Sequence, residues 1–301
     1  MPEKKYHVFF WLVLGGGALL FFTLSLIALA IYFSGEEATS FSLSQNQVAE
    51  LDVEGIILDS KEFVTQLRAY GNRAGVRAVV LRLNSPGGGV AASQEMYEAV
   101  KRFRAETRKK VVVSMSSVAA SGGYYVACAA DRIFANPGSI TGSIGVIAEW
   151  YNYGKLLEWA KTEEIVIKSG PLKDAGSPTR PLTPEEKSYF QNLINDMYNQ
   201  FVAAVASGRK MDEAAIRKLA DGRVYTGQEA KNLGLVDEIG TFQDAVAAAG
   251  RLAGIEGEPR LVTPPKRNFS ILDLLLGESR SLLPLKLDRS ESHIRFQYLW
   301  R

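Results

Sequence analysis

Residues 8–33 form an unbroken run of 26 residues with no charged side chain. As a helix rising ~1.5 Å per residue the run is about 39 Å long, enough to cross a hydrocarbon core roughly 30 Å thick with some tilt. A cleaved leader has an apolar core of about 7–15 residues and a small-x-small cleavage site. This run is longer, and Ser34-Gly35-Glu36-Glu37 is a weak cleavage context. The reading is a retained single-pass anchor, with a cleaved leader as the alternative. Lys4 and Lys5 precede the run and Glu36 and Glu37 follow it. The positive-inside rule then puts residues 1–7 in the cytoplasm and the bulk of the chain on the outer side of the inner (plasma) membrane.

Beyond the anchor the chain is ordinary globular material: over its 301 residues 47% are hydrophobic and 23% charged. Disorder throughout and a polytopic membrane protein are both excluded. A net charge of +2, from 35 Lys and Arg against 33 Asp and Glu, is too balanced for a dedicated nucleic-acid binder. Cys128 is the only cysteine, so neither an intramolecular disulfide nor a Cys-based zinc site can form. The two histidines, His7 and His293, lie near the ends, so no histidine is available for catalysis in the middle of the chain.

Polar residues 34–47 read as a linker, residues 48–255 as a compact α/β domain, and residues 256–301, rich in Pro, Ser, Arg and Leu, as a tail of unknown role. Within the domain Val76–Leu83, Val111–Met115 and Ile133–Ala135 are β-rich runs and 94–107 is helical, a pattern of parallel βα units. Thr183 followed by Pro184-Glu185-Glu186 predicts a helix start with Thr183 as N-cap. The segment 271–285 is apolar but carries Asp273, Glu278 and Arg280, which argues against a second membrane span and leaves a loose tail or a membrane-surface segment.

Three glycine-rich turns and one lysine-bearing loop carry the candidate chemistry. Asn84-Ser85-Pro86-Gly87-Gly88-Gly89 joins a strand to a helix. It is either a plain tight turn or a set of amides aimed at an anion. Ala119-Ala120-Ser121-Gly122-Gly123-Tyr124-Tyr125 follows the next strand. Ser121 there is either an ordinary N-cap or an exposed nucleophile, though the pattern is not G-x-S-x-G. Thr141-Gly142-Ser143-Ile144-Gly145-Val146 permits close backbone approach, and Ser143 could simply serve the backbone. Residues 167–178 hold Lys168 and Lys173 in a turn-rich loop that, taken alone, reads as solvated. A serine nucleophile needs a base. With histidine absent, a lysine made neutral by desolvation is the remaining plausible one: an unperturbed lysine at about 10.4 is only ~0.4% neutral at pH 8, and burial can lower that value by units. The residues permit a Ser-Lys pair without selecting it.

These four motifs, in this order, resemble the short single-domain form of the signal peptide peptidase A family, peptidase family S49, over about residues 48–255. The resemblance implies a Clp-protease-like, crotonase-type fold, a repeated ββα superhelix. It implies Ser121 as nucleophile, Lys173 as general base with Lys168 the competing lysine, and Ser143 as the hydroxyl that orients the base. The amides of Gly122 and Gly88, the latter chosen over Gly87, would form the oxyanion hole. No metal or cofactor is implied. The implied substrates are signal peptides left in the membrane. The implied assembly is a homo-oligomeric ring, an octamer, in which the dyad forms between neighbouring subunits. A protease with other protein substrates, an acyl-CoA enzyme of crotonase type and a non-catalytic anchored scaffold are the competing readings.

Overall fold

The computed structural model describes residues 14–27, 46–263 and 295–300. The chain divides into two units, residues 1–44 and 45–301. In the first, residues 14–27 are helical (α1) and exposed throughout. Residues 8–13 and 28–33, the two ends of the expected anchor, lie outside the described residues, as do most of the linker, the segment 271–285 and both histidines. Among the described residues no helix is long and apolar enough to cross a membrane.

The second unit is built on β1 (Gln47–Glu54), β2 (Val76–Ser85), β4 (Lys110–Ala120), β5 (Arg132–Ala135), β9 (Glu238–Ile239) and β10 (Arg260–Val262). These lie in the order β10-β1-β2-β4-β5-β9, every neighbouring pair parallel. Such strands are buried on both faces and read as near-continuous apolar runs, as in Val111-Val112-Val113. The pleat sorts them: Val79, Leu81, Leu83, Val111, Val113 and Met115 enter one core cluster, while Ala78, Val80 and Val112 enter the other. The first cluster is closed by α2 (Lys61–Gly71), α3 (Val90–Thr107), α4 (Gly122–Ala127) and α6 (Pro184–Arg209). The second is closed by α9 (Phe242–Leu252), through Ala245, Val246, Ala248 and Ala249. The expected α/β class with a parallel sheet is therefore observed.

The far half of β4 passes from β5 to β6 (Ile140–Gly142) on one edge while Ala119 still pairs with Ser85 of β2 on the other, and β6 in turn pairs antiparallel with β8 (Val224–Thr226). The cleft at the carboxyl ends of β2 and β4 is where ligands of α/β sheets commonly sit. A second sheet forms at that cleft from β3 (Gly87–Gly89), β7 (Ile147–Glu149) and β11 (Arg295–Leu299), in the order β3-β11-β7. Two short helices follow α6 in sequence, α7 (Glu213–Leu219) and α8 (Gly227–Asn232), and α5 (Gly154–Trp159) opens the segment leading to the lysine loop. Helix α6 starts where the sequence predicts. Thr183 Oγ1 accepts from the Glu186 N–H and Glu186 returns a bond to the Thr183 N–H, with Pro184 in the first turn.

Candidate active site

Ser121 is the residue between β4 and α4. Its backbone stands at φ 53°, ψ −116°, a region that costs a non-glycine residue about 1–3 kcal/mol and persists only where the surroundings impose it. Two hydrogen bonds impose it: the Ser121 N–H donates to the Gly142 carbonyl at 2.8 Å, and its own carbonyl accepts from the Tyr125 N–H at 2.8 Å. The side chain makes no capping bond to α4, so the ordinary N-cap reading fails. Ser121 is buried in the cleft.

The glycines matter because backbones meet here. A Cβ on Gly88 would strike the Ile57 backbone, and one on Gly122 would strike Ser93 Oγ and come within 3.2 Å of the Gly88 nitrogen. Gly87, at φ 99°, presents its α-carbon to the Gly122 nitrogen and the Tyr298 carbonyl. The Gly122 and Gly88 peptide units thus converge beside Ser121. The Gly122 N–H, first in α4, has no intrahelical acceptor. The Gly87 N–H is already donated to Ser85 Oγ at 3.1 Å, and Gly88 lies opposite Tyr298 in the β3–β11 ladder.

Ser143 follows Gly142, the residue that holds the Ser121 amide. It too has positive φ, 50°, with its N–H donated to the Arg223 carbonyl at 2.8 Å. It lines a cavity of about 540 Å³ with Ile144, Ile194, Tyr198 and Trp300 among others.

The lysines lie elsewhere. Lys168 is engaged: its Nζ donates to Asp174 Oδ1 at 2.5 Å and to the Pro171 carbonyl at 3.2 Å. Lys173 is exposed, its N–H turned to the Gly170 carbonyl at 3.2 Å, and it does not line the Ser143 cavity. No hydrogen bond joins Lys173 to Ser121 or Ser143 among the described residues. The chain therefore brings Gly122 and Gly88 close to each other beside Ser121, with Ser143 next to the residue that holds the Ser121 amide, and leaves Lys173 exposed and unbonded to either serine among the described residues. The loop is tied down by Arg180, which pairs with Asp174 at 3.0 Å and with the buried carboxylate of Glu186. The Arg180 guanidinium is the main cause that draws the Glu186 carboxyl down to about 2.

One component was missed in the sequence. β11 falls in the segment read as a tail, yet it lies in the cleft. It pairs antiparallel with β3 (Tyr298 opposite Gly88) and with β7 (Phe296 opposite Ala148), and the Trp300 N–H donates to the Pro86 carbonyl at 2.8 Å. The period-two aromatics Phe296, Tyr298 and Trp300 were the available strand signal.

Comparison with known proteins agrees with this geometry. Peptidase family S49 matches residues 103–256 and the Clp protease family matches residues 54–139. A Synechocystis sp. protein provisionally named a protease is 43% identical over 215 residues, 71% of this chain and 76% of its own. An Enterococcus faecium protein provisionally named a signal peptide peptidase is 37% identical over 233 residues, 72% of this chain and 67% of its own. Protease 4 of Salmonella typhi is 35% identical over 254 residues, which cover 79% of this chain but 40% of that longer protein. With a parallel α/β core of Clp-protease kind and a serine held at a strained strand-to-helix turn, the chain belongs to peptidase family S49, as a serine-type peptidase.

Proposed function

We propose that the chain is a membrane-anchored serine endopeptidase that degrades remnant signal peptides, with Ser121 as nucleophile and Lys173 of a neighbouring copy as general base. The observation that carries this reading is Ser121 itself: positive φ, a hydroxyl free of backbone duty, and the Gly122 and Gly88 amides converging beside it. Lys173 takes the Ser121 proton as Oγ bonds to the substrate carbonyl carbon. The negative charge that develops on the carbonyl oxygen is met by the two amides. The C–N bond then breaks, the proton passes from the lysine to the leaving amine, and an acyl-serine remains. Water, giving a proton to Lys173, attacks the ester, releases the acid and restores the serine. Ser143 orients the lysine.

Assembly of copies would supply the base, since Lys173 is exposed and no hydrogen bond joins it to Ser121 among the described residues. The lysine loop is preceded by exposed apolar side chains, among them Trp159, Ile165 and Ile167, the last 97% exposed. Apolar groups so placed favour contact with another surface, and a ring, an octamer, would seat this loop on the neighbour's cleft. Residues 8–33 would hold the ring at the inner membrane with the catalytic domain outside, beside its substrates. The test is hydrolysis of an apolar fluorogenic peptide by wild type, Ser121→Ala, Lys173→Ala and Lys168→Ala. The first two variants should lose at least ~10³-fold in rate, as when a triad member is removed, and the third should keep its activity. Full activity in Lys173→Ala would reject the assignment.

A further inference from the structure

The converging Gly88 and Gly122 peptide units rest on a side chain from a third element. Ser93 lies near the start of α3, 0% exposed, and its Oγ donates to the Gly89 carbonyl at 2.9 Å. A helical serine often bonds the carbonyl four residues back, so that bond alone is ordinary. What else the oxygen bears on is not. A Cβ on Gly122 would overlap Ser93 Oγ before any other atom, and would lie 3.2 Å from both the Gly87 α-carbon and the Gly88 nitrogen. The hydroxyl is thus seated where Gly122 meets the Gly88 peptide unit.

That corner needs support from outside. α4 has six residues and opens on two glycines, Gly122 and Gly123, the residue type that fixes its own backbone least. An N–H that is to meet a developing negative charge cannot be anchored by a hydrogen bond of its own, so packing must aim it. One turn along, Tyr97 of α3 meets Tyr125 of α4 edge-on at 5.0 Å. Ser93–Gly122 and Tyr97–Tyr125 are therefore successive contacts of one helix pair, spaced by four residues on α3 and three on α4. On the other side, Gly89 is held at both its polar groups: its N–H donates to the Ile57 carbonyl at 2.8 Å, and its carbonyl accepts from Ser93. Ser93 thus reaches the residue after Gly88 by a hydrogen bond and Gly122 by contact.

We propose that Ser93 is a positioning residue for the peptidase reaction: its hydroxyl sets the spacing of the Gly88 and Gly122 amides so that both N–H groups aim at one oxygen. It acts through those amides and touches no reacting atom. The proposal deepens the serine-peptidase reading and rests on it. Two aimed amides stabilise the charge that develops as the substrate carbonyl becomes tetrahedral, more than they stabilise the neutral carbonyl of a bound peptide. A misspaced pair therefore lowers kcat and leaves KM alone.

The test is steady-state hydrolysis of an apolar fluorogenic peptide by the full chain, with thermal denaturation of every variant. Ser93→Ala keeps a good helix former in α3. Its kcat should fall ~10-fold or more, short of the ~10²–10³ that loss of a donor costs, with KM within about two-fold of wild type. Gly122→Ala drives a methyl into Ser93 Oγ and should lose both rate and thermal stability. Adding Ser93→Ala to Gly122→Ala removes the colliding oxygen and lets the new methyl occupy the vacated space. Ser93→Ala should therefore lower kcat in the wild-type chain and raise it in the Gly122→Ala chain, a reversal of sign that reports contact between two coupled residues. A serine that only stabilised α3 would shift the thermal midpoint without that reversal. Wild-type kcat in Ser93→Ala, a loss carried by KM alone, or a change of the same sign in both backgrounds would overturn the proposal. Ser121→Ala, measured alongside, tests the reading beneath it. A chain that still cuts without that hydroxyl would overturn the peptidase assignment and the role of Ser93 with it, whereas loss there beside full kcat in Ser93→Ala would overturn the role of Ser93 alone.

Discussion

Tyr125 and Tyr298 stack with their ring centroids 5.2 Å apart and their planes within 15° of parallel. Tyr125 donates its N–H to the Ser121 carbonyl, so the ring that stacks on β11 belongs to a residue that fixes the Ser121 backbone. β11 and Ser121 are thus joined through a single helical turn. Tyr97, packed edge-on to Tyr125 at 5.0 Å, backs that turn from α3. An offset aromatic pair contributes about 0.5–1.5 kcal/mol beyond the area it buries, so the Tyr298 ring helps to hold the turn that carries Ser121.

Gly88→Ala should damage both fold and activity, whereas Gly89→Ala should damage neither. A methyl on Gly88 meets the Ile57 backbone, and Ile57 is tied to β3 by its N–H to the Gly87 carbonyl and its carbonyl to the Gly89 N–H, each 2.8 Å. That backbone must shift, at a cost of about 1–3 kcal/mol as in other overpacked sites. The Gly88 amide moves with it, and loss of one oxyanion donor costs about 10²–10³ in kcat. A methyl on Gly89 meets only ordinary contacts, the nearest at 3.7 Å. Thermal denaturation and peptide hydrolysis of the two variants check the contrast, and equal behaviour would remove Gly88 from the site.

Acid should loosen the lysine loop. The Glu186 carboxyl lies at about 2 in the folded chain against an ordinary value of 4.5, chiefly because Arg180 donates to it and also because the Thr183 N–H does. Its folded value is depressed, so the unfolded chain takes up the proton first as pH falls. The stability it supplies is complete above about pH 4.5 and is lost between there and about pH 2. Denaturant midpoints measured across that range should fall more steeply for wild type than for Glu186→Gln, with the two curves converging at the acid end. Parallel curves would mean that the Arg180–Glu186 pair does not form in solution.

Much of this was legible in the chain because it is local. The β-branched runs of β2 and β4, the Thr183–Glu186 cap and the three turns each announce themselves within about ten residues. The strained backbone of Ser121 and Ser143 does not, since each N–H is held by a carbonyl from farther along the chain, Gly142 and Arg223. Nor does β11, whose partners Gly87–Gly89 lie some two hundred residues earlier. Only its alternating aromatics mark it as a strand, and alternation does not say which slot it will fill. Lys173 is a different case: the resemblance names it, but the contact proposed for it lies between two chains, which no spacing within one can express.

Cys128 should be chemically silent until the fold opens. It is buried beside Tyr124, and burial is the main cause that pushes its thiol up to about 12. At pH 8 a free thiol near 8.5 is about a quarter thiolate, whereas one at 12 is about 10⁻⁴ thiolate, before any loss of access is counted. Reaction with a coloured disulfide reagent at pH 8 should be at least ~10³-fold slower for the native chain than in denaturant. Its residual rate should follow local opening of α4. Prompt native labelling would show that the core around α4 is looser than its packing implies.

Complementation is the sharpest consequence of a dyad divided between copies. Ser121→Ala chains would still supply Lys173, and Lys173→Ala chains would still supply Ser121. Each pure assembly should be inactive. In a ring assembled from equal amounts of both, each site draws its serine from one copy and its lysine from the next, so about a quarter of the sites receive both intact residues when copies mix at random. Co-expression of the two variants should therefore restore roughly a quarter of the wild-type hydrolysis rate per chain, while chains carrying both substitutions, mixed with either single variant, restore none. If the serine and lysine of one chain served the same site, every mixture of the two single variants would stay inactive. Peptide hydrolysis by the co-expressed and co-purified assembly distinguishes these outcomes directly.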